Sequence, residues 1–289
     1  MVEDKEETGL PVIPPDREDD LHNLDFVDSA DLVLFVAGNQ FMVMDELIHV
    51  FQKEHGDVGK IFYETLPPGL ELKQILAGGA IFRDRIIDVV PDIYASVTEK
   101  AMKRLEREGF IEKESYFLYL HNRIVLMVPE GNPAHIASVA DLGRDEVCIS
   151  QPNPEYEDIA YYIIDMYQQT GGEALVHKIM EEKRAEGRTI LTVVHHRETP
   201  LRVTKGTVDV GPVWATEVIH ARKSNLAVDM VEPGEDLDQR DRINYYICKL
   251  KNAAHPENAA KFLDFIKSDR AQGIYEAHGF VPHFEASAR

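Results

Sequence analysis

The sequence is short of positive charge: 31 Lys and Arg stand against 51 Asp and Glu in 289 residues, a formal net charge of −20. That excludes a nucleic-acid binder, which needs a basic footprint against phosphate. It leaves a small anionic ligand open, because a local pocket can oppose the global field. No run of 18 apolar residues occurs, so no segment reads as a membrane-spanning helix. Cysteine is scarce too. Cys148 and Cys248 are too few for a disulfide framework, and both lie in apolar, strand-like stretches. Buried free thiols are the simple expectation there, and a disulfide between them the sharper one. Internal repeats and low-complexity core segments are absent, as are H-E-x-x-H, G-x-S-x-G and a P-loop. Those gaps count against a metallohydrolase, a serine hydrolase and an NTPase.

What remains is a composition normal for a globular protein, 44% apolar and 28% charged, in a chain long enough for one large or two medium domains. Ten acidic residues against Lys5 and Arg17 fall within residues 1–30, together with Pro11, Pro14 and Pro15. This stretch is expected to be a disordered acidic leader. It lacks the basic and apolar regions of a signal peptide, and the expectation is an exported protein from which the signal has been removed.

From residue 31 onward, short apolar runs alternate with amphipathic stretches. Asp31–Ala37 reads as a strand buried on both faces, and Val43, Met44, Leu47, Ile48 and Phe51 have helical spacing. Strands are expected at 60–65, 88–96, 122–129, 146–150, 190–194, 209–214 and 243–250. Helices are expected up to Leu76 and at 98–108, 159–169, 176–185 and 256–268, with Thr199-Pro200 as a helix start. This order predicts mixed α/β architecture with parallel strands and covering helices. Two blocks, 31–121 and 127–240, are followed by a piece too small to stand alone. Returning 247–289 to the first block makes that lobe 1, and residues 122–246, with both hinge crossings, lobe 2. A ligand cleft at the hinge is then expected.

The residues resemble a family. Phe35-Val36-Ala37-Gly38-Asn39, Pro68-Gly69 with Gln74-Ile75 and Gly78, Asp92–Ser96, and Asn122–Pro129 with Asn132-Pro133 follow its order. So do Ser138–Leu142, Gly206 with Asp209, Gly211, Val213 and Trp214, and the ending from His255-Pro256-Glu257 through Phe262–Phe265 to Gly279-Phe280. Together they resemble the periplasmic molybdate/tungstate-binding proteins of ABC transporters, over nearly all of 31–282. The resemblance implies a two-lobed type II periplasmic-binding-protein fold with a mixed sheet in each lobe. It also implies a periplasmic or extracellular location, a small inorganic ion as ligand, and an ABC permease in the membrane as partner. Monomeric action is expected, with no cofactor beyond the bound ion and no enzymatic activity.

The ligand loops depart from that family. Asn39 and Pro68 stand where it has serines, Tyr156-Glu157-Asp158 replaces a Pro-Ala-Gly loop, His196 replaces a valine before Arg197, and Trp214 replaces a tyrosine. Ligand contacts are therefore expected at Asn39, Gln40, Pro68, Gly69, Glu157, Asp158, His196, Arg197 and Trp214. A carboxylate about 4 Å from an anion costs roughly 4 kcal/mol at an effective dielectric near 20. One hydrogen bond returns only about 1 kcal/mol. Carboxylates with imidazole suit a divalent transition metal instead, with Glu64, Glu157, Asp158, His195 and His196 as candidate ligands. Archaeal members of the resembled family hold molybdate or tungstate with carboxylates on the metal, so a metal oxyanion stays open. So does the plain reading of His195-His196 as a solvated strand end and Glu157-Asp158 as a helix start. A metal-dependent hydrolase and a ligand sensor without transport are the competing functions.

Overall fold

The structure is a computed structural model and describes residues 9–155, 157, 159–193, 198–234, 237 and 239–284. The chain forms two compact units. Unit 1 comprises the chain up to His121, Asn244–Ala277 and the residues from Pro282. Unit 2 is Asn122–Ile243 with His278–Val281.

Unit 1 begins with β1 (Val12–Ile13), β2 (Leu21–His22), β3 (Leu32–Phe35), α1 (Phe41–Glu54), β4 (Ile61–Glu64) and α2 (Pro68–Ala77). The hairpin β5 (Ala80–Phe82) and β6 (Arg85–Ile87) follows, then β7 (Ile93–Ser96), α3 (Glu99–Arg107) and β8 (Phe117–His121). Unit 2 contains β9 (Ile124–Pro129), β10 (Ile149–Gln151), α4 (Ile159–His177), α5 (Lys183–Ala185) and β11 (Thr189–Leu191). It continues with α6 (Glu198–Thr204), β12 (Gly211–Trp214), α7 (Ala215–Lys223) and β13 (Val228–Val231). The chain then adds β14 (Asn244–Lys249), α8 (Pro256–Ile266), α9 (Asp269–Ala277) and β15 (Val281–Pro282).

The main sheet of unit 1 has the order β15-β8-β14-β7-β3-β4-β2. All four residues of β3 are buried, as a strand covered on both faces requires, and β3 runs parallel to β4 and β7. Helix α1 buries Val43, Met44, Leu47, Ile48 and Phe51, and Phe51 meets Phe262 edge-on at 5.2 Å. The buried Asp92 carboxylate ties the early and late parts together. It accepts from the Val33 amide at 2.8 Å, the His255 amide at 2.8 Å and His255 Nδ1 at 2.9 Å.

Unit 2 has an antiparallel sheet, β12-β9-β13, and a parallel pair, β10-β11. Val125, Met127, Val203, Val213 and Val218 are among the residues of its core. Helix α6 begins one residue before Thr199, whose hydroxyl bonds Ser150 Oγ at 2.8 Å rather than capping a helix.

Three expectations need correction. Residues 9–30 are not a disordered leader, because Ile13, Leu21 and Val27 are buried in the unit 1 core and β2 pairs with β4. The return to unit 1 comes at residue 244 rather than 247, because β14 pairs with both β7 and β8 along its length. Residues 278–281 group with unit 2 rather than with lobe 1. Gly279, at φ +91°, lies so close to α7 that a Cβ would come within 2.6 Å of Ile219 Cδ1 and 3.3 Å of Thr216 Cα. No disulfide joins the cysteines: both are free, Cys248 in unit 1 and Cys148 in unit 2.

Candidate functional site

In open α/β sheets the ligand loops follow the carboxyl ends of parallel strands. In unit 1 those ends are aligned, Phe35 pairing with both Glu64 and Tyr94. The loop after β3, Gly38-Asn39-Gln40, forms a 3-10 turn leading into α1. The loop after β4 runs from Thr65 to Pro67 and enters α2 at Pro68. The two loops nearly touch: a Cβ on Gly38 would lie 2.9 Å from the Thr65 carbonyl oxygen and 3.4 Å from that of Leu66. Only glycine permits that approach without displacing backbone. No side chain caps α1 or α2; the Phe41 amide goes to the Gly38 carbonyl, and the Leu70 and Glu71 amides go to the Pro67 carbonyl.

Asn39 is buried at the start of this turn. Its Nδ2 donates to the Tyr245 hydroxyl, while Oδ1 has no hydrogen-bond partner. The two amide orientations are nearly isosteric. Turned over, the Tyr245 hydroxyl donates to Oδ1 and the NH₂ group becomes the unengaged end. Pro68 is the first residue of α2, and its carbonyl accepts from Tyr94 at 2.9 Å. Gly69 follows with open space around it.

Two expected site residues of unit 1 are turned inward. Gln40 is fully buried, its Oε1 accepting from Tyr119 at 2.9 Å and Tyr275 at 3.2 Å. Through Oε1 it fastens the start of α1 to β8 and α9, while its Nε2 has no hydrogen-bond partner. Glu64, expected among the metal ligands, is also fully buried, and its Oε2 accepts from Gln74 at 2.7 Å. The reason is that α2 turns polar residues, Glu71 and Gln74, toward the strand it covers. Burial pushes Glu64 up to about 8 despite the Gln74 bond. Glu71 is held well above the usual carboxylate range, first by burial and then by the nearby Glu64 carboxyl. Burial thus favours the neutral form of both acids.

In unit 2, Glu157 closes its own loop. Its Oε1 accepts from the Asn153 amide at 3.3 Å and from the Thr192 hydroxyl. The same Asn153 amide lies 3.1 Å from Thr192 Oγ1. Trp214, the last residue of β12, is buried, with the Tyr162 ring 6.5 Å away, centroid to centroid. Arg202 holds the ends of β10 and β11, reaching Ser150 Oγ and the Ile190 and Leu191 carbonyls at 3.0–3.1 Å. Asp158, His195, His196 and Arg197 lie outside the described residues. Among the described residues, no group of three or more His, Cys, Asp and Glu is placed to hold a metal ion. Thr65, Tyr245 and Glu71 carried no motif that would have singled them out. Their partners lie far away in sequence or across a helix-strand layer.

The profile of the bacterial extracellular solute-binding proteins matches residues 32–281. The chain belongs to that family. Its members are binding proteins of transporters, not enzymes. A curated relative is the "Putative ABC transporter substrate-binding lipoprotein YvgL" of Bacillus subtilis (strain 168). It is 27% identical over 194 residues, 66% of this chain and 67% of that protein. Among solved structures, the Azotobacter vinelandii periplasmic molybdate-binding protein has a TM-score of 0.66 at 20% identity, over 86% of this chain and 98% of that one. Iron-bound HitA from Pseudomonas aeruginosa has a TM-score of 0.65 at 15% identity, over 89% and 87%. At such identities these structures speak for the α/β periplasmic-binding-protein fold. Among the described residues, no helix is long and apolar enough to cross a membrane.

Proposed function

We propose that this solute-binding protein works outside the cytoplasm and delivers a tetrahedral metal oxyanion, of the molybdate and tungstate class, to an ABC permease. The observation that carries the reading is Asn39. It is a buried amide anchored at one end on Tyr245 and unengaged at the other, in the turn that leads into α1. With the amide turned so that Tyr245 donates to Oδ1, its NH₂ is a neutral donor that suits an oxyanion. The two described acids expected among the metal ligands are each turned to partners within their own unit. Glu64 is neutral and bonded to Gln74, and Glu157 is engaged with Asn153 and Thr192. The described residues therefore supply less to a divalent cation than the sequence promised. A molybdate-binding structural neighbour supports the oxyanion class, and the iron-bound neighbour supplies the cation alternative to be tested.

The test is a thermal-shift panel of molybdate, tungstate, sulfate, Zn²⁺, Ni²⁺ and Fe³⁺ on wild type, Asn39→Ala and Asn39→Asp. A true ligand at a hundredfold excess over its dissociation constant stabilises by about 2.7 kcal/mol. Molybdate or tungstate is expected to shift the wild-type melt, and Asn39→Asp to weaken that binding more than about tenfold, because it puts a like charge at the anion. A melt shifted by a cation alone, or molybdate binding untouched by Asn39→Asp, overturns the reading.

A further inference from the structure

Residues 9–30 lie upstream of the stretch that the family profile matches. They nevertheless reach the loop that follows β4. Leu21 and His22 pair antiparallel with Glu64 and Tyr63, making β2 the last strand of the main sheet. Pairing continues one residue past β4, where the Thr65 amide donates to the Asp20 carbonyl at 2.9 Å. The His22 ring lies face to face on Tyr63, 4.1 Å between centroids and 3° from parallel, with its Nε2 2.9 Å from Thr65 Oγ1. Tyr63 in turn donates to Asp45 of α1 at 2.7 Å.

Thr65 is therefore held on three sides. Its amide is taken by Asp20, its hydroxyl by His22, and its carbonyl oxygen faces the Gly38 backbone of the first loop. It is almost fully buried, so these bonds are not exchanged for water. The segment is itself well fastened. Ile13, Leu21 and Val27 enter the core, β1 pairs with β5, Asn23 Nδ2 reaches the Ile61 carbonyl at 3.0 Å, and Arg85 meets Asp28 at 2.9 Å.

We propose that residues 9–30 are a strap that sets the position of the loop from Thr65 to Gly69, with His22 as a positioning residue acting through Thr65. The ligand arm of this inference rests on the reading above, that this loop serves the bound oxyanion. The structural arm stands without it.

The experiment uses the full chain and two variants. His22→Phe keeps an aromatic ring on Tyr63 and removes the bond to Thr65, whereas His22→Gln restores a donor of similar reach. Hydrogen exchange of the Thr65, Leu70 and Glu71 amides, which bond the Asp20 and Pro67 carbonyls, is read without ligand, and molybdate affinity is read by calorimetry. His22→Phe is expected to speed exchange at these amides about fivefold, the weight of one hydrogen bond, and to weaken molybdate binding by a similar factor. Amides of β9 in unit 2 should be unchanged, and His22→Gln should recover most of the wild-type behaviour. Unchanged exchange at Thr65, Leu70 and Glu71 in His22→Phe overturns the strap. So does a loss of protection spread evenly over unit 1, which marks plain destabilisation. If molybdate fails to bind even the wild type, the oxyanion reading falls while the exchange data still decide on the strap.

Discussion

Replacing Glu64 with glutamine should make unit 1 more stable in mild alkali. The Glu64 carboxyl is fully buried, with one oxygen on Gln74 Nε2 at 2.7 Å and the other without a partner. Burial raises it from an ordinary 4.5 to about 8. A raised acid holds its proton in the native state where the unfolded chain has released it. Its contribution is therefore fully present below pH 4.5 and is lost as pH rises through about 8. The slope is about 1.4 kcal/mol per pH unit for one proton, so Glu64 alone removes about 4 kcal/mol of stability between pH 5 and pH 8. Glu71, raised for the same reason, adds to the slope in the wild type and stays in the variant. In Glu64→Gln the side-chain carbonyl can still accept from Gln74, and the NH₂ takes the place of the acid proton. Opening free energies from hydrogen exchange of the β3 and β4 amides, corrected for intrinsic pH dependence, measure the effect within unit 1. Between pH 5 and pH 8 the variant should gain about 4 kcal/mol relative to the wild type. Equal slopes in the two proteins, or a variant that loses ground at pH 8, would refute the neutral-acid account.

Removing residues 1–30 should destabilise unit 1 by about 5 kcal/mol, from the burial of Ile13, Leu21 and Val27 at roughly 1.5–3 kcal/mol each. Urea unfolding read on the β3 and β4 amides checks this, and a change below about 1 kcal/mol would contradict the docked arrangement. A thiol reagent should modify half-buried Cys148 well before Cys248. Cys248 is fully enclosed, and burial pushes its thiol up to about 12. Mass spectrometry of timed samples gives the order, and equal rates would count against the burial of Cys248.

The main strands were legible because both-face burial writes itself as apolar runs. Leu32–Phe35, Ile124–Val128 and Gly211–Trp214 need no tertiary information to be read. Residues 9–30 misled for the opposite reason. Their core contacts are isolated side chains, Ile13 and Leu21 in two-residue strands and Val27 in a 3-10 turn, set among carboxylates, which leaves no period to detect. The β5–β6 hairpin was passed over as well, its strands being only three residues long. In the candidate site, chain order placed Asn39 and Pro68 in the loops after the first two parallel strands of unit 1, but side-chain direction was not readable. Gln40 follows Asn39 by one residue and points into a pair of tyrosines. Glu64 ends a strand whose four residues are all buried, and only the facing Glu71 and Gln74 of α2 explain an acid there.

Strand β14 lies between β7 and β8, and it is made only after Asn122–Ile243, the main segment of unit 2. Until residue 249 has been synthesised, β7 carries an open edge and β8 has neither of its neighbours, since β15 comes later still. Unit 2 is nearly continuous in the chain and can complete its antiparallel sheet first. Unit 1 must wait for a pairing that spans more than a hundred residues, such as Tyr246 with Ser96. Closing so long a loop is slow, and an unpaired edge invites pairing with other chains in the interval. The order of assembly is thus fixed by topology: the inserted unit matures first, and the unit that holds both ends of the chain matures last.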